Sequence, residues 1–325
     1  MKIKLGSFLR IAVSVSILVL IPWFLRDKLR EAFEILHHEV RLGYFFTALA
    51  VYAGSMLLLA LRMHWNLQKK HVVWDYMSSL YVSFMGIFFS LFLPSAIGGD
   101  VVKGVYLSKH ARTKADVFSC LVIDRLSGFC VVMFLAFLSS ATLHASWNHL
   151  PDWISWTVLG SMVFAGMAIF IKPEILPFVF SKLRFLPEKL QSKLNEFYDS
   201  LSGFFHDRGF LLRSLILSVA AQSFFITAYY FIGKALDAPI SFAMFFMLVP
   251  MITIISMTPS VGGAGVREAG ALLLFKHYMP QDRALAMTVL IDVVIFIFSF
   301  SGGLWYFFRS VIGRDPKAEL KPQNS

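Results

Sequence analysis

Two short stretches of this sequence place ionisable residues directly beside helix-breaking residues. The first, LPSAIGGDVVKG, covers residues 93–104, and the second, TPSVGGAGVREAG, covers residues 258–270. Proline ends a helix, and paired glycines let the backbone turn sharply. We expect a new helix after each glycine pair, with Lys103 or Arg267 in its first turn. The free N–H groups and the dipole at such a helix start favour an anion, and phosphate is the natural ligand.

The same residues allow an interpretation that needs no ligand. Small residues are typical of close packing between membrane helices, and long basic side chains can reach a membrane interface. Asp100 follows the first glycine pair, and Glu268 follows Arg267. Packing alone does not account for charged residues beside both breaks, so we favour an anion site.

The two stretches also correspond to each other. With a one-residue gap, the proline, the serine, both glycines, the valine and the basic residue align. This match predicts an internal repeat with two discontinuous helices. In transporters built from inverted repeats, the binding site lies where such breaks meet.

Three further ionisable residues stand inside apolar runs, where they mark ion pairs or transport pathways. Asp124 and Arg125 lie in SCLVIDRLSGFC, and Asp292 lies in TVLIDVVIFIF. A structural and a functional role stay open for Arg125, whereas Asp124 is interpreted as a structural partner of its neighbours. Asp292 has no basic residue near it in sequence, so we interpret it as the carrier of a coupling proton, with Glu268 as the alternative.

The composition indicates that these residues sit in a membrane protein. Of 325 residues, 57% are hydrophobic and 15% are charged, against about 45–50% and about 25% in soluble domains. We predict an all-α fold, a polytopic membrane helix bundle with one transmembrane domain over residues 1–310 and a disordered cytoplasmic tail over 311–325. Apolar runs long enough to be membrane spans cover residues 11–25, 43–61, 77–93, 126–143, 153–171, 214–232, 240–258 and 284–308.

The loop charges predict how the chain is oriented. Eight simple crossings give no bias in lysine and arginine. If the segments around 77–108 and 240–275 each return to the side they entered from, loops 104–116 and 172–210 join the side of the N-terminus, together with most of the basic residues. The positive-inside rule then predicts cytoplasmic termini in a multi-pass protein of the cell (inner or plasma) membrane, and two inverted repeats. Whether the broken segments are re-entrant or cross fully stays open.

Other classes of protein are disfavoured. The net charge of +10 is spread over the loops, so we expect no nucleic-acid partner. Common hydrolase, metalloprotease and phosphate-loop motifs are missing, and we expect no enzymatic activity, cofactor or metal. Two stretches are interpreted as scaffold: an amphipathic helix after Pro187, at the membrane surface or on the cytoplasmic face of the protein, and a polar stripe of Ser214, Ser218 and Gln222 that joins helices.

At LPSAIGGDVVKG, IDRLSG and TPSVGGAGVREAG the sequence resembles the lysylphosphatidylglycerol synthase transmembrane-region family, also called flippase-like membrane proteins. The resemblance covers roughly residues 8–310 and implies a lipid-translocating bundle with discontinuous helices. It implies site residues at Gly98, Gly99, Asp100, Asp124, Arg125, Gly262, Gly263, Gly265, Arg267 and Glu268, to which the helix-start argument adds Lys103.

Two departures from this family shape the expected function. Family members with synthase activity add a large soluble aminoacyl-transferring domain, and we do not expect that activity from a chain that ends about 15 residues after its last apolar run. Lys103 stands where relatives often have arginine, which weakens bidentate phosphate binding. The sequence does not select one lipid, a direction of transport or an oligomeric state.

The expected function is transport of an anionic or phosphate-bearing lipid, either a phospholipid or a polyprenyl-phosphate-linked lipid, between the leaflets. The alternative is a membrane partner that transports nothing and presents a lipid carrier to a glycosyltransferase or another lipid-modifying enzyme.

Overall fold

The structure is a computed structural model that describes residues 40–72, 75–93, 98–109, 111–143, 160, 188–256 and 266–311. All regular secondary structure in these residues is helical, which confirms the all-α prediction. The helices are α1 (Leu42–Lys69), α2 (Tyr76–Ser90), α3 (Gly98–Leu107), α4 (Lys114–Leu143), α5 (Glu188–Phe205), α6 (Arg208–Ala235), α7 (Phe242–Ser256), α8 (Val266–Phe275) and α9 (Gln281–Val311).

Four helices in the described part of the chain are long and apolar enough to cross a membrane, which confirms a membrane protein. They are Leu42–Lys69, Lys114–Leu138, Arg208–Ala235 and Gln281–Arg309. The predicted run 11–25, the run 153–171 apart from residue 160, and the tail from residue 312 lie outside the described residues. The domain boundary at 310 stays a prediction. The helices extend beyond the apolar runs where polar residues continue them: α1 continues to Lys69, α4 begins at Lys114 and α6 begins at Arg208.

Two series of four helices have almost the same lengths. Helices α1 to α4 contain 28, 15, 10 and 30 residues, and α6 to α9 contain 28, 15, 10 and 31. The internal repeat predicted from two short motifs therefore extends over four helices in each half. We call α1–α4 repeat one and α6–α9 repeat two.

The first helices of the two repeats, α1 and α6, pack in opposite directions. The backbone N–H of Arg41, just before α1, donates to Ala235 O at the end of α6 over 3.0 Å. Near the middle, Ser55 Oγ donates to Ala221 O over 2.9 Å. At the other end, Lys69 pairs with Asp207, and the hydrogen bond from Lys69 holds the pKa of Asp207 below its usual range. The two repeats are therefore inverted relative to each other along this shared pair of helices.

Each broken segment folds back as an antiparallel hairpin. In repeat one, Gly99 of α3 packs against the backbone of Gly86 in α2, so closely that a Cβ at residue 99 would overlap Gly86 O. In repeat two, Gly270 of α8 packs against Ile255, and the rings of Phe245 and Phe275 are 6.0 Å apart. Helices α2 and α7, at 15 residues each, rise only about 22 Å, less than the roughly 30 Å hydrocarbon core. How deep the hairpin tips reach stays a prediction.

Each hairpin packs on the long helix of the other repeat. Helix α2 lies against α9, and α7 lies against α4. In the first contact, the glycine pair Gly302-Gly303 brings α9 onto α2, where a Cβ at either position would overlap Phe84 or Phe88. The two repeats are thus interleaved, since each hairpin packs on the long helix of the other repeat.

Helix α5 confirms the predicted amphipathic helix. Its contacts show that it packs on the protein, which was one of the two predicted positions. Leu201 and Phe204 are buried. Ser200 Oγ donates to Asp116 Oδ1 over 2.7 Å and lies 2.8 Å from Ser119 Oγ. The helix therefore packs on the protein, against the start of α4.

The structure separates the loops into two ends. Lys70 after α1 lies 3.8 Å from Asp116 at the start of α4, and Arg309 near the end of α9 stacks 4.6 Å from the ring of Tyr81 in α2. At the opposite end, Arg41 pairs with Asp237 over 2.9 Å. Residues 111–113, just before α4, and helix α5 therefore share one end of the bundle. Arg283 Nη1 near the start of α9 donates to Asp237 O over 3.5 Å, so the preceding loop 276–280 lies at the other end.

This grouping leads to a labelling prediction. A cysteine at the exposed position Arg112 should react with a membrane-impermeant thiol reagent only from the cytoplasm, and a cysteine at the exposed position Lys276 only from outside. The parent protein supplies the background, because its own Cys120 and Cys130 are buried. Labelling of both positions from one side would contradict the inverted arrangement.

Candidate functional site

In repeat one, the short helix and the long helix are joined by an ion-pair cluster. Arg125 Nε of α4 donates to Asp100 Oδ2 of α3, and Lys103 Nζ lies 3.2 Å from Asp100 Oδ1. The Asp100 side chain is 9% exposed, whereas that of Arg125 is 52% exposed. Helix α3 begins at Gly98, so Lys103 lies in its second turn and the prediction of the first turn was wrong. Asp100 occupies the first turn instead, where an acidic side chain stabilises the helix N-terminus.

In repeat two, the same two kinds of helix are joined by a single ion pair. Arg267 Nη2 of α8 donates to Asp292 Oδ1 of α9 over 2.5 Å, and the two side chains are 18% and 7% exposed. The fold thus supplies Asp292 with the basic partner that its sequence neighbourhood lacks. Glu268 interacts electrostatically with Arg267 as well, so the neutralising charge does not come from Glu268 alone.

The two ion pairs occupy equivalent places with reversed charges. Arg125 is 11 residues beyond Lys114, the first residue of α4, and Asp292 is 11 residues beyond Gln281, the first residue of α9. Asp100 and Arg267 are the third and second residues of their short helices. Repeat one therefore carries its acid on the hairpin and its arginine on the long helix, and repeat two carries the reverse.

One hydrogen-bond donor of Arg267 has no acceptor among the described residues. Its Nε is buried and has no hydrogen-bond partner among the described residues. Tyr52 of α1 and Tyr229 of α6 are buried within electrostatic range of its guanidinium. Arg267 is also the second residue of α8, so the helix dipole and the arginine concentrate positive potential in one place.

The predicted glycines divide between described and undescribed residues. Gly98 and Gly99 are buried, and a Cβ at residue 98 would overlap Leu93, so both glycines serve the close approach of α3 to α2. Gly262, Gly263 and Gly265 lie outside the described residues.

A second buried polar cluster lies where α1, α4 and α6 cross. Arg62 Nε donates to Asp124 Oδ1 over 2.8 Å, and Arg62 Nη1 donates to Ser218 Oγ over 2.7 Å. Asn66 Nδ2 donates to the same Asp124 oxygen over 3.3 Å. Arg62 lies just beyond the apolar run 43–61, but α1 continues past it to Lys69. The spacing of Arg62 and Asn66, four residues apart, was the available signal, since it places both on one helical face.

Asp124 and Arg125 therefore take part in different clusters. Consecutive helical residues point about 100° apart, so Asp124 faces α1 while Arg125 faces the hairpin. Asp124 is structurally paired, but with Arg62 and Asn66 and not with the sequence neighbours that we expected. Ser214 and Ser218 are buried, and Ser214 lies 3.5 Å from Ser127 of α4, in accord with a polar stripe that joins helices.

Among the residues that the structure describes, no group of three histidine, cysteine, aspartate or glutamate side chains could hold a metal ion. The expectation that the protein needs no cofactor stays a prediction.

Comparison with known proteins identifies one relationship. The family model described as the lysylphosphatidylglycerol synthase TM region matches residues 7–303. No curated protein and no solved structure matches the chain.

Proposed function

The chain belongs to the lysylphosphatidylglycerol synthase transmembrane-region family, and from that premise we propose that it is an integral membrane transporter for a lipid with an anionic or phosphate-bearing headgroup. The observation that carries the proposal is the pair of charge-reversed ion pairs at equivalent places in two inverted repeats. The proposal places the protein in the cell membrane with both termini in the cytoplasm. It involves no bond-making step.

The charged groups fit a phosphate headgroup. Arg125 lies 11 residues into its membrane-crossing helix, about 16 Å along the helix axis, and yet half of its side chain is exposed. A charged group at that depth is costly unless water or an anion solvates it. Lys103 and Arg125 already converge on the Asp100 carboxylate, and phosphate oxygens accept the same charge-assisted hydrogen bonds.

A lipid suits this position better than a soluble anion. Phe118 lies seven residues before Arg125, on the same face of α4, and its side chain is exposed as well. Apolar surface of this kind suits acyl or prenyl chains, so that the headgroup could reach Arg125 while its chains stay in the bilayer.

The inverted repeats support movement as well as binding. In transporters with this plan, the two repeats exchange conformations and expose one site to each side in turn. Each repeat here contributes one hairpin, one long helix and one ion pair between them, so each half of the protein holds the parts of one gate.

The decisive experiment is reconstitution of the purified protein into liposomes that contain either fluorescent phosphatidylglycerol or a fluorescent polyprenyl phosphate. A membrane-impermeant quencher then reports how much label moves between leaflets. We expect movement of at least one of these lipids, and we expect Arg125→Gln to slow it roughly 10- to 100-fold, the equivalent of one lost charge-assisted bond of about 1.5–3 kcal/mol. Arg213→Gln is the matched control, because Arg213 is an exposed arginine on α6 outside both ion pairs.

Three outcomes would count against the proposal. Lipid binding without movement favours the alternative role, a partner that presents a lipid to a glycosyltransferase or another lipid-modifying enzyme. Equal loss in Arg125→Gln and Arg213→Gln would show a general dependence on surface charge. No loss in either variant would remove Arg125 from the lipid path.

A further inference from the structure

The two carboxylates that hold the hairpins stand where the proposed lipid phosphate must bind. Asp100 is bound by Lys103 and Arg125, and Asp292 is bound by Arg267. Both carboxylates are buried. This inference rests on the proposed function, and it names the ion that would move with the lipid and the groups that would carry it.

Phosphate and carboxylate compete for the same donors. A phosphate that takes Lys103 and Arg125 leaves Asp100 buried without its cations and next to another negative charge. Burial and a like charge both disfavour an ionised carboxylate, and a buried charge that has lost its partner is strongly destabilising. Uptake of a proton removes both penalties.

The described groups that face the Asp100 carboxylate are two cations and one hydroxyl. Lys103 comes from α3 and Arg125 from α4, while the neighbouring α2 contributes the Ser90 hydroxyl beside Gly99. Neither of these cations can serve Asp100 while it binds a phosphate.

Asp292 faces a comparable set of groups. Arg267 comes from α8, with Glu268 beside it, and the phenols of Tyr229 from α6 and Tyr52 from α1 lie around the pair. Helix α2, which also packs on α9, brings the backbone of Phe84 to Gly302 and the ring of Phe88 to Gly303. Arg267 is the cation that the described residues place against Asp292, and it is the one that the phosphate would take.

We propose that Asp100 and Asp292 each take up one proton from water when a phosphate group displaces them from their basic partners, so that lipid translocation is coupled to proton movement. The step converts a carboxylate and a proton to a carboxylic acid, and release of the phosphate reverses it. Because each pair joins a hairpin to the long helix that follows it, the same exchange unlocks the hairpin. The reversed charges do not matter to this mechanism, since each pair holds one carboxylate.

The test measures protons taken up on binding. Dihexanoyl phosphatidylglycerol is titrated calorimetrically into the detergent-solubilised protein in two buffers with different ionisation enthalpies. Its phosphodiester does not titrate near neutral pH, so any protons taken up belong to the protein. A second titration uses geranyl phosphate to represent polyprenyl phosphates. Because this phosphate can itself take up or release protons, the proton uptake measured with the variant Asp100→Asn/Asp292→Asn is subtracted from that of the parent protein.

We expect about one proton per bound lipid at each occupied pair. The affinity should fall about tenfold per pH unit where the carboxylates are ionised in the empty protein, as linkage requires for one coupled proton. The double variant Asp100→Asn/Asp292→Asn should bind the lipid with no proton uptake and no pH dependence. Asp116→Asn, which alters a lysine-paired carboxylate outside both hairpins, should take up protons like the parent protein.

The outcomes separate this inference from the function on which it rests. Binding without proton uptake in the parent protein, or uptake that persists in the double variant, overturns proton coupling and leaves lipid transport standing. If neither lipid binds, both proposals fail. If the double variant does not fold, infrared difference spectra of the parent protein decide: a protonated-carboxyl band on lipid addition supports the inference, and its absence overturns it.

Discussion

Arg62→Gln should lower the free energy of unfolding by about 3–5 kcal/mol, the usual cost of removing one partner from a buried ion pair. The substitution leaves the Asp124 carboxylate at the crossing of three helices without its cation. It also removes the hydrogen bond to Ser218 that ties α1 to α6. Thermal unfolding in detergent, followed by circular dichroism, measures the change.

A double variant tests the reason for this loss. Arg62→Gln/Asp124→Asn removes both charges and keeps amides that can hydrogen-bond, so it should recover most of the stability lost in the single variant. Arg213→Gln again serves as the control for loss of an exposed arginine and should change the unfolding temperature little. If the double variant is as unstable as Arg62→Gln, the charge on Asp124 is not the cause.

Arg267→Gln/Asp292→Asn should strongly weaken the stabilisation that added lipid gives to the protein, while the lipid-free variant unfolds near the parent temperature. The two substitutions remove a buried charge pair together and leave no charge of that pair uncompensated. The planar guanidinium that would bind phosphate is then missing. Arg267→Lys keeps the charge but loses the fork geometry, so its response to lipid should be weakened. Unfolding temperatures with and without phosphatidylglycerol measure both effects.

Asp292→Asn alone supplies the matched control for this prediction. It leaves Arg267 charged and free of its carboxylate, so the variant should respond to lipid at least as strongly as the parent. If the Arg267→Gln/Asp292→Asn variant responds to lipid as strongly as the parent, Arg267 is a structural residue and the anion site lies elsewhere.

The arginine–aspartate pairs differ in how many of the arginine's hydrogen-bond donors have a partner and in how exposed the arginine is. Arg62 donates to Asp124 and to Ser218, within a crossing of three helices. Arg267, in contrast, keeps one buried N–H without a partner among the described residues, and Arg125 is half exposed. A buried N–H without an acceptor and an exposed guanidinium are groups that a ligand can use, which is why we expect stability to depend on the first pair and lipid binding on the other two.

The sequence by itself determined the class of protein and the position of its irregularities. A composition rich in apolar residues allows only helices or closed barrels to cross the bilayer, since backbone groups must be satisfied internally. Proline and paired glycines marked both hairpin breaks because their effect on the backbone is local. The heptad-like spacing after Pro187 likewise identified α5, because an amphipathic face is a property of one helix.

Only the tertiary structure decided which charges meet. Asp100 and Arg125 are 25 residues apart, as are Arg267 and Asp292, whereas Arg62 and Ser218 are 156 apart. Helical periodicity says which face of a helix a side chain occupies, but not which other helix packs on that face. In a membrane, the apolar pattern adds little information, since lipid and protein interiors are equally apolar. The partners of Arg62, Asp124 and Asp292 therefore depend on how α1, α4, α6, α8 and α9 pack, and that packing has no local signature in the sequence.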